Sequence, residues 1–307
     1  MSSGWAALPY EAWSATRDTL HAHTQVLGKL STVLAPPEPQ LQHTALRLSA
    51  RGWETRPLPA PDGSGAFAVV LDLHSYETVI EHSDGRVRRI ALTPDRPVGA
   101  VTREVLVAVR DLVGQVEITL KPQETLWTTP LDEDDEHATF DTAQIGTYFA
   151  AATRAAQVLA ALRAPYRGRS TPVNAWWGSF DLSVSLFSGR EAQPPSKDFI
   201  MRNSMDAEEV AVGWWPGDPR YPRAAFYAYA HPAPAGFKDA TLTPAAARWD
   251  ESLGGEFVLD WDDVCSSPHP YEVALDFARS VVLHACTVCG WDTGLSASVE
   301  GNPPPVV

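Results

Sequence analysis

The chain has 307 residues, of which 44% are hydrophobic, and its formal net charge is −14. Such an excess of carboxylates disfavours a phosphate backbone or an anionic membrane as the main partner, so we expect neither nucleic-acid nor membrane binding. The first residues show no basic segment followed by an apolar one, and no run of 18 apolar residues occurs. We therefore expect a soluble, cytoplasmic protein.

Three cysteines, Cys265, Cys286 and Cys289, are too few and odd in number for a disulfide framework, which favours free thiols in a reducing compartment. Cys286 and Cys289 form a CxxC pair, but no second pair or nearby histidine pair completes a zinc site. Phosphate-binding loops, dinucleotide-binding glycine motifs, nucleophile elbows and HExxH are absent from the sequence. No metal and no cofactor is predicted.

The first half begins with a predicted helix over residues 9 to 34, where apolar positions recur with helical period before the proline-rich "APPEP". The segments "TALRLSA", "AFAVVLDLH", "ETVIEHS" and "RVRRIAL" then predict an antiparallel meander, because they are rich in β-branched residues and are separated by turn sequences. A helix over "VGAVTREVLVAVRDLVG" and a strand over "QVEITL" follow.

The second half repeats this order. A helix is predicted over residues 141 to 164, followed by strands in "STPVNAWW", "FDLSVSLF", "EEVAVGWW" and "AAFYAYAH" and a last helix over roughly 271 to 289. The pattern predicts an α+β fold with two halves, 1–125 and 126–307, each an antiparallel sheet packed with long helices around a shared cleft. The loop-rich "SGREAQPPSKDFIMRNSMD" is predicted to be a lid over a site.

A polar stripe on the first helix is formed by His21, Gln25, Gly28 and Lys29, which fall in one narrow sector at 100° per residue. Glycine in a helix interior costs about 1 kcal/mol relative to alanine, a cost that a solvent-facing position does not offset. Close approach by another backbone or a ligand would offset it. We therefore expect the stripe to line a cleft, with a solvated helix face as the alternative.

The acidic segment "PLDEDDEHATFD" has two interpretations. Carboxylates before a helix are favoured as an N-terminal cap by the helix dipole. Oxygen and imidazole ligands such as Asp132 and His137 are also suited to a divalent metal.

Carboxylates next to aromatic residues are candidate general bases, because burial raises a carboxyl pKa. Alternation in "NAWWGSFDLSVSLF" places Trp176 and Phe180 on one side of a strand. It places Trp177, Ser179 and Asp181 on the other side, where Asp181 is either buried beside the aromatic rings or exposed at an edge.

Two further strands add polar side chains. In "AEEVAVGWWPG", one of Glu208 and Glu209 must face inward if the segment is a strand. In "FYAYAHPAPAGF", Tyr227, Tyr229 and His231 share one face, either as ligand contacts or as half-buried packing residues.

The chain resembles a bacterial family catalogued only as a domain of unknown function. The resemblance runs through "LHAHTQVLGKL", "SARGWETRPLP", "LDEDDEHATFD", "WWGSFDLSVSLFSGR", "GWWPG" and "FYAYAHPAPAGF", and it implies no established chemistry. Such proteins tend to carry His where this chain has Asn174 and Glu208, and Tyr where it has His231. These departures argue against a histidine-based metal site and suggest a divergent member recruited to specialised metabolism.

The chain is also similar to the aziridine-forming enzymes of azinomycin-type antibiotic pathways. In that chemistry an amine displaces a neighbouring sulfate ester without a cofactor, so the resemblance implies a lyase for a small amino substrate, free or held on a carrier protein. The reaction needs a base for the amine proton, cations for the sulfate and exclusion of water. The candidate catalytic residues are Asp181, Glu208, Glu209, His21 and His137. The candidate substrate-binding residues are Gln25, Lys29, Arg51, Trp176, Trp177, Tyr227 and Tyr229.

Other functions remain open at this point. One is a metal-dependent hydrolase or lyase built around Asp132, His137 and the acidic pair, and another is a non-catalytic module that binds a small molecule or a protein. The segment "RAPYRGR" contributes Arg163, Arg167 and Arg169, which either complement a helix C-terminus or dock an acidic carrier protein.

Overall fold

The computed structural model describes residues 5–300. The α-helices are α1 Tyr10–Leu34, α2 Val98–Val113, α3 Thr142–Arg163, α4 Phe199–Ser204, α5 Trp261–Ser266, α6 Pro270–Val288 and α7 Thr293–Glu300. The strands are β1 Arg47–Leu48, β2 Gly52–Glu54, β3 Leu58–Pro59, β4 Ala66–Asp72, β5 Glu77–His82, β6 Val87–Ala91, β7 Asn174–Trp176, β8 Asp181–Glu191, β9 Ala207–Trp215, β10 Ala225–His231, β11 Arg248–Asp250 and β12 Glu256–Asp260. The 3₁₀ segments are Pro39–Thr44, Phe237–Asp239 and Glu251–Leu253.

The strands of residues 5–300 form two antiparallel sheets of six strands each. The first sheet has the order β1-β2-β4-β5-β6, with β3 paired to β4, and the second has the order β11-β12-β10-β9-β8-β7. The predicted α+β class is therefore confirmed. The division into halves at residues 125 and 126 stays a prediction.

Most of the predicted helices have the expected bounds. The first ends at Leu34, directly before the proline-rich segment, and the helix predicted from residue 141 begins at Thr142. Asp141 is the N-cap of α3, and its carboxylate accepts hydrogen bonds from the backbone N–H groups of Ala143 and Gln144 at 2.9 and 3.1 Å. For Asp141, the cap interpretation of the acidic segment is therefore confirmed. No helix within residues 5–300 has both the length and the apolar content needed to cross a bilayer.

Three strand predictions were wrong or incomplete. Residues 115–120, "QVEITL", are irregular, because the alternating segment pairs with no neighbouring strand in the described chain. The strand predicted through "NAWWGSFD" is interrupted by a four-residue turn at 177–180, in which Phe180 has a φ of 59°. Trp177 and Phe180 therefore both enter the core, and Trp176 becomes the cross-strand neighbour of Asp181. The third shortcoming is omission, because the strands β2, β3, β11 and β12 were not predicted.

The second sheet has two chemically distinct faces because its central strands alternate strictly. One face packs on α3 and α6 and is apolar. Its residues include Leu182, Val184, Leu186, Val210, Val212, Trp214, Phe226 and Ala228, all buried. We call the opposite side the polar face, and it comprises Asp181, Ser183, Ser185, Glu209, Ala211, Gly213, Tyr227 and Tyr229.

An aromatic column joins the two sheets. Phe180 stacks on Trp53 of the first sheet at 5.1 Å between ring centroids and on Tyr148 of α3 at 5.4 Å. Tyr148 stacks in turn on Trp13 of α1 at 5.0 Å and accepts a hydrogen bond from Nε1 of Trp53 at 3.0 Å. Burial of these large rings stabilises the 177–180 turn, whose left-handed Phe180 would otherwise be unfavourable.

Candidate functional site

A cavity of about 290 Å³ lies over the polar face of the second sheet. Its other walls come from the C-terminal part of α1, the Pro39–Thr44 segment, residues of the 119–124 segment and helix α4. Residues from both predicted halves line it, but among the described residues no strand of the first sheet does. The cavity is therefore bounded by one sheet and the segments that cover it.

Asp181 is buried at the start of β8 and its carboxyl group faces the cavity. One carboxyl oxygen accepts a hydrogen bond from the Ser179 hydroxyl and the other accepts one from the Tyr227 hydroxyl. Burial raises the pKa of Asp181 to about 6, against the opposing effect of these two donors. An ionised carboxylate with a pKa in this range can accept a proton near neutral pH.

Tyr227 reaches Asp181 across the intervening strand β9. Tyr227 is paired with Gly213, and Gly213 is paired with Ser183 on β8. A Cβ added to Gly213 would overlap the Tyr227 ring, so the absence of a side chain there allows the ring to cross the strand. The Tyr227–Asp181 hydrogen bond therefore requires glycine at position 213.

Glu209 and Glu208 are neighbours on β9 with opposite surroundings. Glu209 is 4% exposed and lines the cavity next to Ser185, and burial raises its pKa to about 7. Glu208 faces the other way and accepts a hydrogen bond from Ser188 at 2.5 Å, with Arg190 at 3.4 Å. Glu209 is therefore the inward-facing member of the pair.

Glu124 is a third carboxyl group at the cavity, and it was not among the predicted residues. It has a φ of 56°, and a Cβ added to Gly178 would overlap its carboxyl oxygen, so Glu124 packs directly against the 177–180 turn. Burial and the nearby Asp181 raise its pKa to about 7. Glu124 lies just before the predicted boundary between the halves at residues 125 and 126.

His21 and Gln25 of the polar stripe are buried, but they do not line the cavity. Nε2 of His21 lies 3.0 and 2.9 Å from the backbone carbonyl oxygens of Trp177 and Gly178, so this nitrogen carries the proton and donates. Burial and the nearby Arg17 lower the His21 pKa well below its usual value. A neutral His21 therefore holds the turn that precedes Asp181.

Gln25 connects the same turn to the segment that carries Glu124. Its amide nitrogen donates to the carbonyl oxygens of Trp177 and Gln123, each at 3.0 Å. Its amide oxygen accepts from the backbone N–H of Gln123 at 3.0 Å. With its donors and acceptor used in this way, Gln25 positions two walls of the cavity at once.

The sequence predicted a backbone or a ligand close to Gly28, and the close neighbour is instead a side chain. A Cβ at Gly28 would overlap the indole ring of Trp177, which packs flat on the helix at this point. Nε1 of Trp177 donates to the Thr44 carbonyl oxygen at 3.1 Å. The glycine therefore allows α1 and the 177–180 turn to approach each other.

Lys29 is the stripe residue that reaches the cavity. Its Nζ donates to the Lys121 carbonyl oxygen at 2.7 Å and lies 5.3 Å from the centre of the Trp177 ring. Burial lowers its pKa to about 8, so it is still mainly protonated at neutral pH. Among the described lining residues, Lys29 supplies the cationic side chain.

The four predicted aromatic contacts all line the cavity. Trp176 donates from Nε1 to the Ser183 hydroxyl at 2.9 Å, which fixes its ring beside the polar face. Tyr227 and Tyr229 stack nearly parallel, with an interplanar angle of 4° and 6.4 Å between centroids. These rings and the small side chains beneath them give the cavity an aromatic wall.

Helix α4 covers part of the cavity, within the long connection between β8 and β9. Phe199, Ile200 and Met201 line the cavity, although Phe199 is 59% exposed. Asp198 caps this short helix by accepting hydrogen bonds from the backbone N–H groups of Ile200 and Met201. The predicted lid segment thus supplies an apolar cover.

Two predicted site residues lie away from the cavity. Arg51 lies in the bend directly before β2 of the first sheet and forms two hydrogen bonds with Glu81, at 3.1 and 3.2 Å. His137 forms an ion pair with buried Asp134 at 2.8 Å, which raises the His137 pKa, and its ring lies 4.8 Å from that of Trp127. Neither is a lining residue.

The predicted arginine patch is not brought to the cavity either. Arg163 ends α3, and Arg169 donates to the Gln40 side chain at 2.5 Å while its guanidinium covers the Phe187 ring. Neither arginine lines the cavity, and a carrier-docking role for the patch, including Arg167, stays a prediction.

Within residues 5–300, no group of three or more His, Cys, Asp and Glu side chains is arranged to hold a metal ion. The three cysteines are free thiols.

Comparison with known proteins gives one match. A family model described as a family of unknown function, DUF5996, matches residues 5–298. No curated protein and no solved structure matches the chain. Since the match covers nearly the whole sequence, the chain belongs to the DUF5996 family.

Proposed function

We propose that this protein binds a small amine in the cavity and that Asp181 removes a proton from it, as the general base of a cofactor-independent reaction. The observation that carries the proposal is the Asp181 carboxyl group, which is buried, faces the cavity and is oriented by Ser179 and Tyr227. Because both donors hold the carboxyl oxygens in place, little reorganisation is needed when a ligand arrives.

The lining chemistry favours a cation. Three carboxyl groups, those of Glu124, Asp181 and Glu209, face one lysine in the same cavity. An ammonium group forms strong, charge-assisted hydrogen bonds with carboxylates, and it is attracted to the faces of tyrosine and tryptophan rings. A cavity with this lining prefers an amine to a neutral or purely anionic molecule.

Proton removal is feasible because the environment brings the two pKa values together. An alkylammonium ion in water has a pKa near that of lysine, about 10.4, so the transfer to a group with a pKa of about 6 costs roughly 6 kcal/mol. Burial lowers the pKa of the ammonium, and the cost falls accordingly. The freed amine is then a nucleophile.

The concrete reaction is formation of an aziridine. The amine lone pair attacks the neighbouring carbon, the C–N bond forms, the C–O bond to the sulfate ester breaks, and sulfate leaves with the electron pair. Asp181 takes the proton from nitrogen. Lys29 is the lining cation that would stabilise the departing sulfate, whereas Arg51 is bound to Glu81 on the first sheet.

The test compares wild type with Asp181→Asn and the matched variant Glu208→Gln, using a vicinal amino sulfate ester and measuring released sulfate. We expect Asp181→Asn to lower kcat about a hundredfold or more with little change in KM, because it removes the base but preserves the shape of the site. Glu208→Gln should retain wild-type rates, since Glu208 faces away from the cavity.

Near-normal turnover by Asp181→Asn would contradict the assignment of the base. If wild type binds alkylamines in calorimetry but releases no sulfate, the protein is a binding module or catalyses a different reaction. If no amine binds, the proposal as a whole is wrong.

A further inference from the structure

Three carboxyl groups lie on the same side of the second sheet, namely Asp181, Glu209 and Glu256, which the next position of the β10–β12 register places opposite Tyr229. Asp181 and Glu209 line the cavity, at two separate places, and Glu256 does not line it. Leu182 of β8 pairs with Trp214 of β9. The next position of this antiparallel register places Asp181 opposite Trp215. Glu209 lies six residues from Trp215 on the same strand, which corresponds to about 20 Å of extended chain. Asp181 and Glu209 therefore mark opposite ends of one cavity.

The surface between these ends is aromatic and small. Tyr227 and Tyr229 stand side by side along β10, with Ser183 and Ser185 on β8 across from them. Between its two ends, the cavity is thus lined on this side by ring surface and small side chains, and Glu256 beyond Tyr229 is not a lining residue. This lining matches a methylene chain, which packs on ring faces and needs no hydrogen bonds.

Each end presents carboxyl groups that have no bound cation. Glu124 accompanies Asp181 at the first end, and the nearby Arg220 is occupied by Asp218 at 2.5 Å. At the other end, Glu209 forms no ion pair within 4 Å in the described chain.

The basic groups near Glu209 are occupied elsewhere. Arg169, whose charge acts on Glu209, donates to Gln40 and covers the Phe187 ring. His231, the cross-strand neighbour of Glu209, has its Nε2 3.1 Å from the Gln193 carbonyl oxygen. Lys29 is held against the wall by the Lys121 carbonyl oxygen and the Trp177 ring. The two carboxyl ends of the cavity therefore remain open to cations supplied by a ligand.

We propose that the ligand carries two amino groups and binds lengthwise, one ammonium at Asp181 and Glu124 and the other at Glu209. This inference rests on the proposed amine-binding function and specifies its substrate class. After the reach of both side chains and two hydrogen bonds of about 2.8 Å is subtracted, the nitrogen atoms are separated by roughly 10 Å. The second ammonium fixes the position of the reacting amine at Asp181.

The experiment measures binding of linear α,ω-diamines of increasing length, and of n-alkylamines of equal carbon number, by titration calorimetry. For wild type we expect affinity to peak at a diamine with nitrogen atoms roughly 10 Å apart, at least tenfold tighter than the matched monoamine. Glu209→Gln should abolish this advantage and leave monoamine affinity unchanged. Glu208→Gln should retain both the advantage of the diamine and the wild-type affinity for the monoamine.

A ligand-side control avoids any dependence on the folding of Glu209→Gln. Acetylation of one nitrogen of the best diamine removes one charge and should lower its affinity for wild type to that of the monoamine. If diamines bind no more tightly than monoamines, or if Glu209→Gln weakens both equally, the two-amine inference is overturned while the amine site at Asp181 stands. If neither class binds, the proposed function fails first.

Discussion

On the first sheet, Arg51 holds Glu81 through two hydrogen bonds, and both side chains are more than a third exposed. On the second sheet, Asp181 and Glu209 are buried, and within the described chain neither has a basic side chain within 4 Å. The first sheet neutralises its own charge at the surface. The second keeps carboxyl groups in a cavity at a cost in free energy, which an incoming cation can recover.

The largest expected effect is on the pH dependence of stability. In the folded protein the pKa of Glu209 is raised to about 7 from 4.5, so between these values the native state holds a proton that the unfolded state releases. The free energy of unfolding therefore falls as pH rises through this window, by about 3 kcal/mol from Glu209 alone. Glu209→Gln should remove that part of the fall in denaturant titrations at pH 4.5 to 7.5. Glu208→Gln should keep it, and equal slopes for the two variants would contradict the burial argument.

The second prediction concerns the close approach of α1 to the 177–180 turn. Gly28→Ala would push Trp177 out of its position on α1 and should destabilise the protein by about 2 kcal/mol. Gly146→Ala in α3 is the matched control, because an added Cβ there meets no atom within 4 Å, and it should stabilise the protein by roughly 0.5–1 kcal/mol. Urea denaturation of both variants measures the difference. If the free energy of unfolding changed in the same direction in both variants, the Trp177 contact would not constrain Gly28.

A third prediction separates the two stacked tyrosines. The Tyr227 hydroxyl donates to Asp181 and lowers its pKa, so Tyr227→Phe should raise that pKa from about 6 by roughly one unit. The acid limb of the pH–rate profile, or Asp181 titration by NMR, should move to higher pH. Tyr229→Phe should leave it in place. A shift of equal size in both variants would mean that general polarity, rather than this hydrogen bond, sets the pKa.

The smallest effect is expected on the first sheet. Arg51→Ala removes an exposed ion pair, and such pairs contribute about 0–1 kcal/mol and weaken with salt. Amine binding should not change, because Arg51 does not line the cavity. If Arg51→Ala lost amine binding, the amine site would also depend on the first sheet, which would contradict the contrast drawn between the two sheets.

Local sequence patterns were sufficient for much of the fold. Helical period placed α1 and α3, and alternation placed β8, β9 and β10, since both signals lie within a single element. Alternation failed at 177–180, where core packing of Phe180 and support from α1 impose a turn. Those contacts join residues more than 100 positions apart, and no short window contains them.

The site was predictable in part for the same reason. Asp181, Glu209, Tyr227 and Tyr229 belong to strands whose alternation reveals which side chains share a face. Glu124 belongs to an irregular segment, and only Gln25 and Gly178 bring it to the cavity. His21 and Gln25 were expected to line a cleft, but they do not line the cavity. They hold backbone carbonyl groups instead, and this role depends on where a distant turn lies.

The column formed by Trp13, Tyr148, Phe180 and Trp53 crosses the predicted boundary at residue 125 and passes through α1, α3 and both sheets. Separating the halves would expose ring surface on each side, so we expect the whole chain to unfold as one cooperative unit. Tryptophan fluorescence and far-ultraviolet circular dichroism should then report a single coincident transition, with no stage in which one sheet persists without the other.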